Sequence, residues 1–242
     1  MKFFAQSDKG QERKVNQDSY GYYLAESGLG FFIVADGMGG YNAGEVASAN
    51  AVDSFINKAK GNPIVEDAEQ KAEFLKKMFR RANDIILFKA AADPAKAGMG
   101  TTAVAAIVKD EEVIIGNLGD SRAYIISEGK MTQITEDHSF VEELLKAGKI
   151  DKEEAKTHPR RNEITKAIGV ESYVEPDIFK PDIKKGDILL LCTDGLDKMV
   201  EDSVILDIVS SNAELSEICQ KLIDEANAAG GLDNITVLAV EI

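Results

Sequence analysis

Five aspartates mark places where apolar runs of this chain begin or end. Asp36 follows FFIVA, Asp120 follows VIIGNLG, Asp194 follows ILLLCT, Asp233 precedes ITVLAV, and Asp18 stands in RKVNQDSYG ahead of an aromatic-rich stretch. Each has glycine or another small residue nearby, as in DGMGG, GDSR, TDGL and GGLDN. Taken singly, an aspartate beside a glycine is ordinary turn chemistry. Taken together, buried strands carry their terminal residues to a common sheet edge, where the carboxylates converge, repel and raise one another's pKa values. Divalent cations remove that penalty, and an all-oxygen ligand set selects Mg²⁺, Mn²⁺ or Ca²⁺. No CxxC, HxxxH or HExxH pattern is present to hold zinc.

Other chemistries fail on named residues. GGYNAGE has the gap of a Walker A loop between Gly39 and Gly44, but Glu45 stands where the phosphate-binding lysine is required. A dinucleotide fingerprint starting at Gly37 and Gly39 needs glycine where Asn42 stands. A cysteine phosphatase needs arginine six residues after its nucleophile, and Cys192 and Cys219 lead to Lys198 and Glu225. An aspartyl-phosphate enzyme with a D-x-D pair fails at Cys192, two residues before Asp194. The two histidines, His138 near a helix start and His158 before Pro159, have structural readings that outweigh a catalytic triad.

The elements that must position these acids are legible as periodic runs. Strands are predicted at 31–35, 103–108, 113–118, 123–126, 188–192 and 235–240. The short gaps between 103 and 126 exclude parallel crossovers and predict an antiparallel meander, extended by MTQIT at 131–135. Helical periodicity covers 44–59, about 67–92 and 213–228, the last with Ser211 and Glu214 as a capping box. Blocks of strands and blocks of helices predict antiparallel sheets covered by helices, an α+β layered domain. Residues from Ser139 to about Tyr173 hold short helical fragments and no strong strand, so they form either a flap or a packed helical insert.

Composition narrows the partners. The 242 residues carry 42 acidic and 28 basic side chains, a formal charge of −14 that repels nucleic acid and anionic membranes. The basic pairs at 76–77, 80–81 and 160–161 are too short to reverse that field. MKFFAQSDKG lacks the apolar core of a signal peptide, and no run approaches the ~20 apolar residues of a membrane span. Both cysteines lie in apolar surroundings and read as buried thiols of a reduced, cytoplasmic protein.

Read in order, SDKGQERKVNQDSYG, VADGMGG, GEVAS, GMGTTA, NLGDSRAY, TEDHS, HPRRNEITKAIG, LLLCTDGL and GGLDNIT span nearly the whole chain. This series resembles the metal-dependent protein phosphatases, the type 2C serine/threonine phosphatases of the PPM family, in their bacterial branch. The resemblance implies a four-layer α-β-β-α sandwich: two mainly antiparallel sheets with helices on both outer faces and metals at one end. It implies a single catalytic domain over 1–242 with a flap at about 140–173. It also implies two Mg²⁺ or Mn²⁺ ions: Asp36 bridges them, the Gly37 carbonyl and Asp18 lie on one side, and Asp194 and Asp233 hold the other. Asp120, with Asp194, matches a third and weaker metal site, and Arg13 matches the arginine that grips the substrate phosphate.

The implied reaction is direct attack on a phosphoserine or phosphothreonine ester by a water bridging the two ions, with Asp18, Asp36, Asp194 and Asp233 as catalytic residues. The implied partners are phosphoproteins, including a Ser/Thr kinase whose work the enzyme opposes, and the expected state is a monomer. Alternative roles are a phosphatase of an anti-anti-sigma factor and a non-catalytic phosphoprotein-binding relative. One departure is Met38, where many eukaryotic relatives place a histidine proposed to protonate the leaving alcohol. Methionine has no proton to give, so its expected role is packing beneath the site.

Overall fold

The computed structural model describes residues 1–39, 43–61, 65–211 and 213–242. Two sheets make up its centre. One runs in the order β1 (Lys2–Asp8), β11 (Ile235–Glu241), β10 (Ile188–Cys192), β7 (Arg122–Ser127) and β8 (Lys130–Gln133). The other runs β2 (Asp18–Leu24), β3 (Gly30–Met38), β5 (Ala103–Lys109), β6 (Glu112–Leu118) and β9 (Asp177–Phe179), with the two-residue β4 (Gly100–Thr101) also on β3. All the pairings are antiparallel.

Alternation within the strands builds the layers. In β3, Phe31, Ile33 and Ala35 face α1 (Ala43–Lys60) and α2 (Ala68–Ala92), while Phe32 and Val34 point between the sheets. Facing them across the inter-sheet layer are Ile125, Leu189, Leu191, Leu238 and Val240. The opposite face of that second sheet, with Leu190, Cys192, Val237 and Ala239, is covered by α5 (Asp194–Asp197), α6 (Asp202–Val209) and α7 (Leu215–Ala228). Strands buried on both faces have no polar side, which is why FFIVA and ILLLC are continuous apolar runs. Phe31, Phe55 and Phe74 pack as three tilted or edge-on rings with centroids 5.7–6.3 Å apart. Each such phenylalanine, fully buried, contributes about 2–3 kcal/mol. The result is the expected pair of antiparallel sheets flanked by helices.

The predicted meander is corrected. The β5–β6 and β7–β8 hairpins lie in different sheets, because the chain crosses between sheets at Gly119, Asp120 and Ser121. Gly119 takes φ +115°, and a Cβ there would stand 2.5 Å from Thr102. His138 pins the crossing: its ring Nδ1 accepts the Gly119 N–H at 3.0 Å, and its own N–H donates to the Gly119 carbonyl at 3.0 Å. Its Nε2 faces Asp177 Oδ2 at 3.0 Å, and burial lowers its pKa. The structural reading of His138 therefore holds.

The capping box at α7 is also corrected. Glu214 is the N-cap and has no side-chain capping bond, while the Ser211 hydroxyl donates to Ile208 O and serves the preceding helix. Between 140 and 173 the helical fragments are α3 (Phe140–Lys146) and α4 (Lys152–Thr157), and the capping box forms at α4 instead, between Asp151 and Glu154. Both cysteines are buried and free. No helix among the described residues is long and apolar enough to cross a membrane.

Candidate metal centre

Antiparallel strands alternate direction, so one end of the sandwich collects the starts of β2, β7 and β11 and the finishes of β3, β6 and β10. All five aspartates lie there. Asp18 and Asp36 are cross-strand partners on β2 and β3. The Asp36 backbone is held on both sides: its N–H donates to Thr102 Oγ1 at 3.1 Å, and its carbonyl accepts from Thr101 Oγ1 and the Thr102 N–H at 2.8 and 2.9 Å. Gly37 donates its N–H to Gln17 O at 3.1 Å and lies against the start of α1. A Cβ on Gly37 would reach Gly44 O at 2.1 Å, and a Cβ on Gly44 would reach Gly37 O at 2.6 Å. Neither position admits a side chain. Gly40, Tyr41 and Asn42, the middle of the glycine-rich stretch, lie outside the described residues.

Asp18 ties the sheets together. Its Oδ2 accepts hydrogen bonds from Thr193 Oγ1 at 2.8 Å and Thr236 Oγ1 at 2.6 Å, both from the other sheet's strand ends. Its Oδ1 is buried without a partner. Burial pushes its pKa up to about 7, helped by Asp194 and Asp233 and opposed by the two threonine bonds. Asp36 is held well above the usual carboxylate range, by burial first and then by the charges of Asp18, Asp194, Asp120 and Asp233. Asp120, in the crossing, rises to about 6 through burial and the Asp194 charge. Asp233 is raised by the same two causes, although its Oδ2 accepts from Arg13 Nη2 at 2.7 Å.

These mutual fields bring all five acids into one electrostatic unit. Among the described residues, no three His, Cys, Asp or Glu side chains close into a finished metal cage. What the site offers instead is unsatisfied oxygen: Asp18 Oδ1, Asp120 Oδ1 and Asp194 Oδ1 are all buried with no hydrogen-bond partner. Buried polar atoms are almost always paired, so three orphans in one cluster are a deficit of positive charge. A hard divalent cation with oxygen ligands fits that deficit. Cys192, at the adjacent strand end, offers no nucleophile, since burial holds its thiol well above the ordinary range.

A family model described as Protein phosphatase 2C matches residues 7–230. The chain belongs to that family. It is 43% identical over 235 residues, covering 97% of this chain and 93% of the relative, to the "Serine/threonine phosphatase stp" of Listeria welshimeri. It is 39% identical over 236 residues, covering 98% and 95%, to "Protein phosphatase PhpP" of Streptococcus pneumoniae. The S. agalactiae serine/threonine phosphatase structure superposes with a TM-score of 0.93 at 35% identity, covering 100% of this chain and 99% of that one. The catalytic domain of PstP "in complex with 2 Manganese ions" superposes at 0.87 with 33% identity, covering 99% and 97%. This chain is thus a metal-dependent serine/threonine protein phosphatase of bacterial PPM type.

Several residues of this phosphatase site escaped the sequence reading. Lys198 Nζ donates to Asp194 Oδ2 at 2.5 Å and to Asp120 Oδ2 at 3.1 Å. Its spacing of four from Asp194 on a helix start was the available signal. Arg122 binds Asp137 through both Nε and Nη2, at 2.9 and 2.7 Å, and Asp197 through Nη1 at 2.7 Å. Asn234 fastens the loops, accepting from the Gln17 N–H and donating to Lys9 O and Val15 O. Arg13, expected at the phosphate, is half-exposed and shared between Asp233 and Leu232 O. Met38 sits partly buried at the end of β3, paired with Gly100.

Proposed function

We propose that the enzyme hydrolyses phosphoserine and phosphothreonine esters of proteins with divalent cations held by the five aspartates, in opposition to a Ser/Thr kinase. The observation that carries this reading is the trio of buried, partnerless oxygens on Asp18, Asp120 and Asp194. In this reading Asp36 would help to hold both cations, with the Gly37 carbonyl and Asp18 for one and Asp194 and Asp233 for the other. Asp120 joins Asp194 at an outer, weaker site. Bound there, two such cations would lower the pKa of a water and offset the charge of a phosphoryl oxygen.

The chain's own groups do the rest. Thr193 and Thr236 fix Asp18 Oδ2, leaving Oδ1 to point its lone pairs into the site. Arg13 offers a planar fork at the mouth, and its exposed edge suits two phosphate oxygens. Residues 140–173 act as a flap: Val141, Leu145, Lys156 and Arg161 share a cleft of about 480 Å³ with Asp120 and Lys198. Residues flanking a phosphorylated side chain would lie in that cleft, whose lining mixes bases such as Lys156 and Arg161 with acids such as Glu142 and Asp202.

The test is hydrolysis of a phosphothreonine peptide with Mn²⁺, then with chelator, then with Mn²⁺ restored. Turnover that follows the metal supports the reading. Turnover that persists after exhaustive chelation, or well-folded Mn²⁺-loaded protein with none, ends it.

A further inference from the structure

The outer acid pair already holds a cation made by the chain itself. Lys198 Nζ stands 2.5 Å from Asp194 Oδ2 and 3.1 Å from Asp120 Oδ2. It is tethered there, since the Lys198 N–H donates to the Asp194 carbonyl at 3.0 Å at the end of the short helix α5. Asp197, the neighbouring acid that could draw it away, is taken by Arg122, which also grips Asp137. The ammonium therefore faces Asp120 and Asp194, whose side chains are only 3% and 13% exposed.

We propose that Lys198 is a built-in competitor for the outer metal site, its ammonium holding the position between Asp120 and Asp194 that a third divalent ion would need. The proposal rests on the five-aspartate reading above and sharpens it at one corner. A divalent ion ligated by both Oδ2 atoms needs oxygens at about 2.0–2.2 Å, and no such position coexists with an ammonium already bonded to the same two oxygens. The charges agree with the sterics: with Lys198 in place the pair carries a net −1, and without it −2. A third ion that takes the Oδ2 atoms binds only after Lys198 swings out, and one held by the partnerless Oδ1 atoms meets the ammonium's charge, so either way it binds weakly.

Lys198→Met removes the charge and keeps most of the stem. Titrating Mn²⁺ into the metal-free wild type and variant, followed by calorimetry and by the melting temperature, reads the site without reference to turnover. The expected result is two tight Mn²⁺ ions in the wild type and an additional or tightened third step in Lys198→Met, stronger by at least ~10-fold. Lys198→Arg, which keeps the charge, should retain the wild-type isotherm, and Asp120→Asn added to Lys198→Met should abolish the new step. If Lys198→Met binds Mn²⁺ with the same number and affinity as the wild type, the competitor role is overturned while the two-cation reading stands. If neither protein binds Mn²⁺ at all, both fall. Should Lys198→Met fold poorly, Lys198→Gln under the same titration decides between the same outcomes.

Discussion

Asp194 and Asp197 stand three residues apart in α5, yet their surroundings are made differently. Asp197 is answered by Arg122, whose guanidinium also holds Asp137 in a two-point grip, and Tyr124 OH accepts from the same arginine at 3.0 Å. Around Asp194 lie Asp18, Asp36, Asp120 and Asp233, and among the described residues Lys198 and Arg13 are the cations paired with them. The first group carries its own cation, although Asp197 Oδ1 is buried without a partner and burial still holds that carboxyl above the usual range. The second raises its own pKa values and leaves three oxygens without donors. Burying acids is thus not in itself a sign of function. The difference lies at Asp36, where the charges of Asp18, Asp194, Asp120 and Asp233 all add to the effect of burial, whereas at Asp197 the charge of Arg122 opposes it.

This contrast can be broken first at Asp36. Asp36→Asn should lower kcat by ~10³-fold or more, about 4 kcal/mol of barrier, while the metal-free protein melts no lower than the wild type, as phosphopeptide assay and calorimetry would show. Arg122→Met should do the reverse. It strands Asp137 and Asp197 and costs about 3 kcal/mol of stability in denaturant unfolding. His138→Ala leaves the Gly119 N–H without its acceptor and should cost about 2 kcal/mol, with activity falling mainly through weaker Mn²⁺ binding at Asp120.

Acidity separates the two groups more gently. With its pKa raised from 3.8 to about 7, Asp18 favours the metal-free fold in its neutral form. That contribution is fully present below the unfolded value and is lost as pH rises through the folded one. Asp18→Asn, which cannot ionise, should therefore stabilise the metal-free protein relative to the wild type at about pH 8 and not at about pH 4. Saturating Mn²⁺ should reverse the advantage. The smallest effect is expected at the exposed Lys156–Glu153 pair, where Lys156→Ala should leave the denaturant midpoint of unfolding unchanged.

The five aspartates were legible because each interrupts an apolar run, and strand ends are where a sequence changes most sharply. Sheet membership was not, since a short gap such as LGDSR at 118–122 fits a hairpin as well as a crossing. Only His138, nineteen residues on, settles which it is. The first strand escaped notice because β1 is nowhere fully buried and its apolar run, Phe3-Phe4-Ala5, is only three residues long. Arg122 was missed for a related reason, its partner Asp197 lying 75 residues away, and Lys198 reaches Asp120 across 78 residues, although its spacing of four from Asp194 was legible. The family resemblance supplied the two-sheet architecture that periodicity alone left open.

The threonine bonds to Asp18 have a consequence in time. They join residues 175 and 218 positions apart in the sequence, and β1 finds its only described strand partner in β11. Contacts so distant carry a large loop-closure entropy and form late, after local hairpins and helices are in place. The acid cluster is therefore complete only once β11, the last strand in the chain, has brought Thr236 to Asp18. A cation site drawing on Asp18, Asp194 and Asp233 together would be complete only in molecules whose last strand has docked.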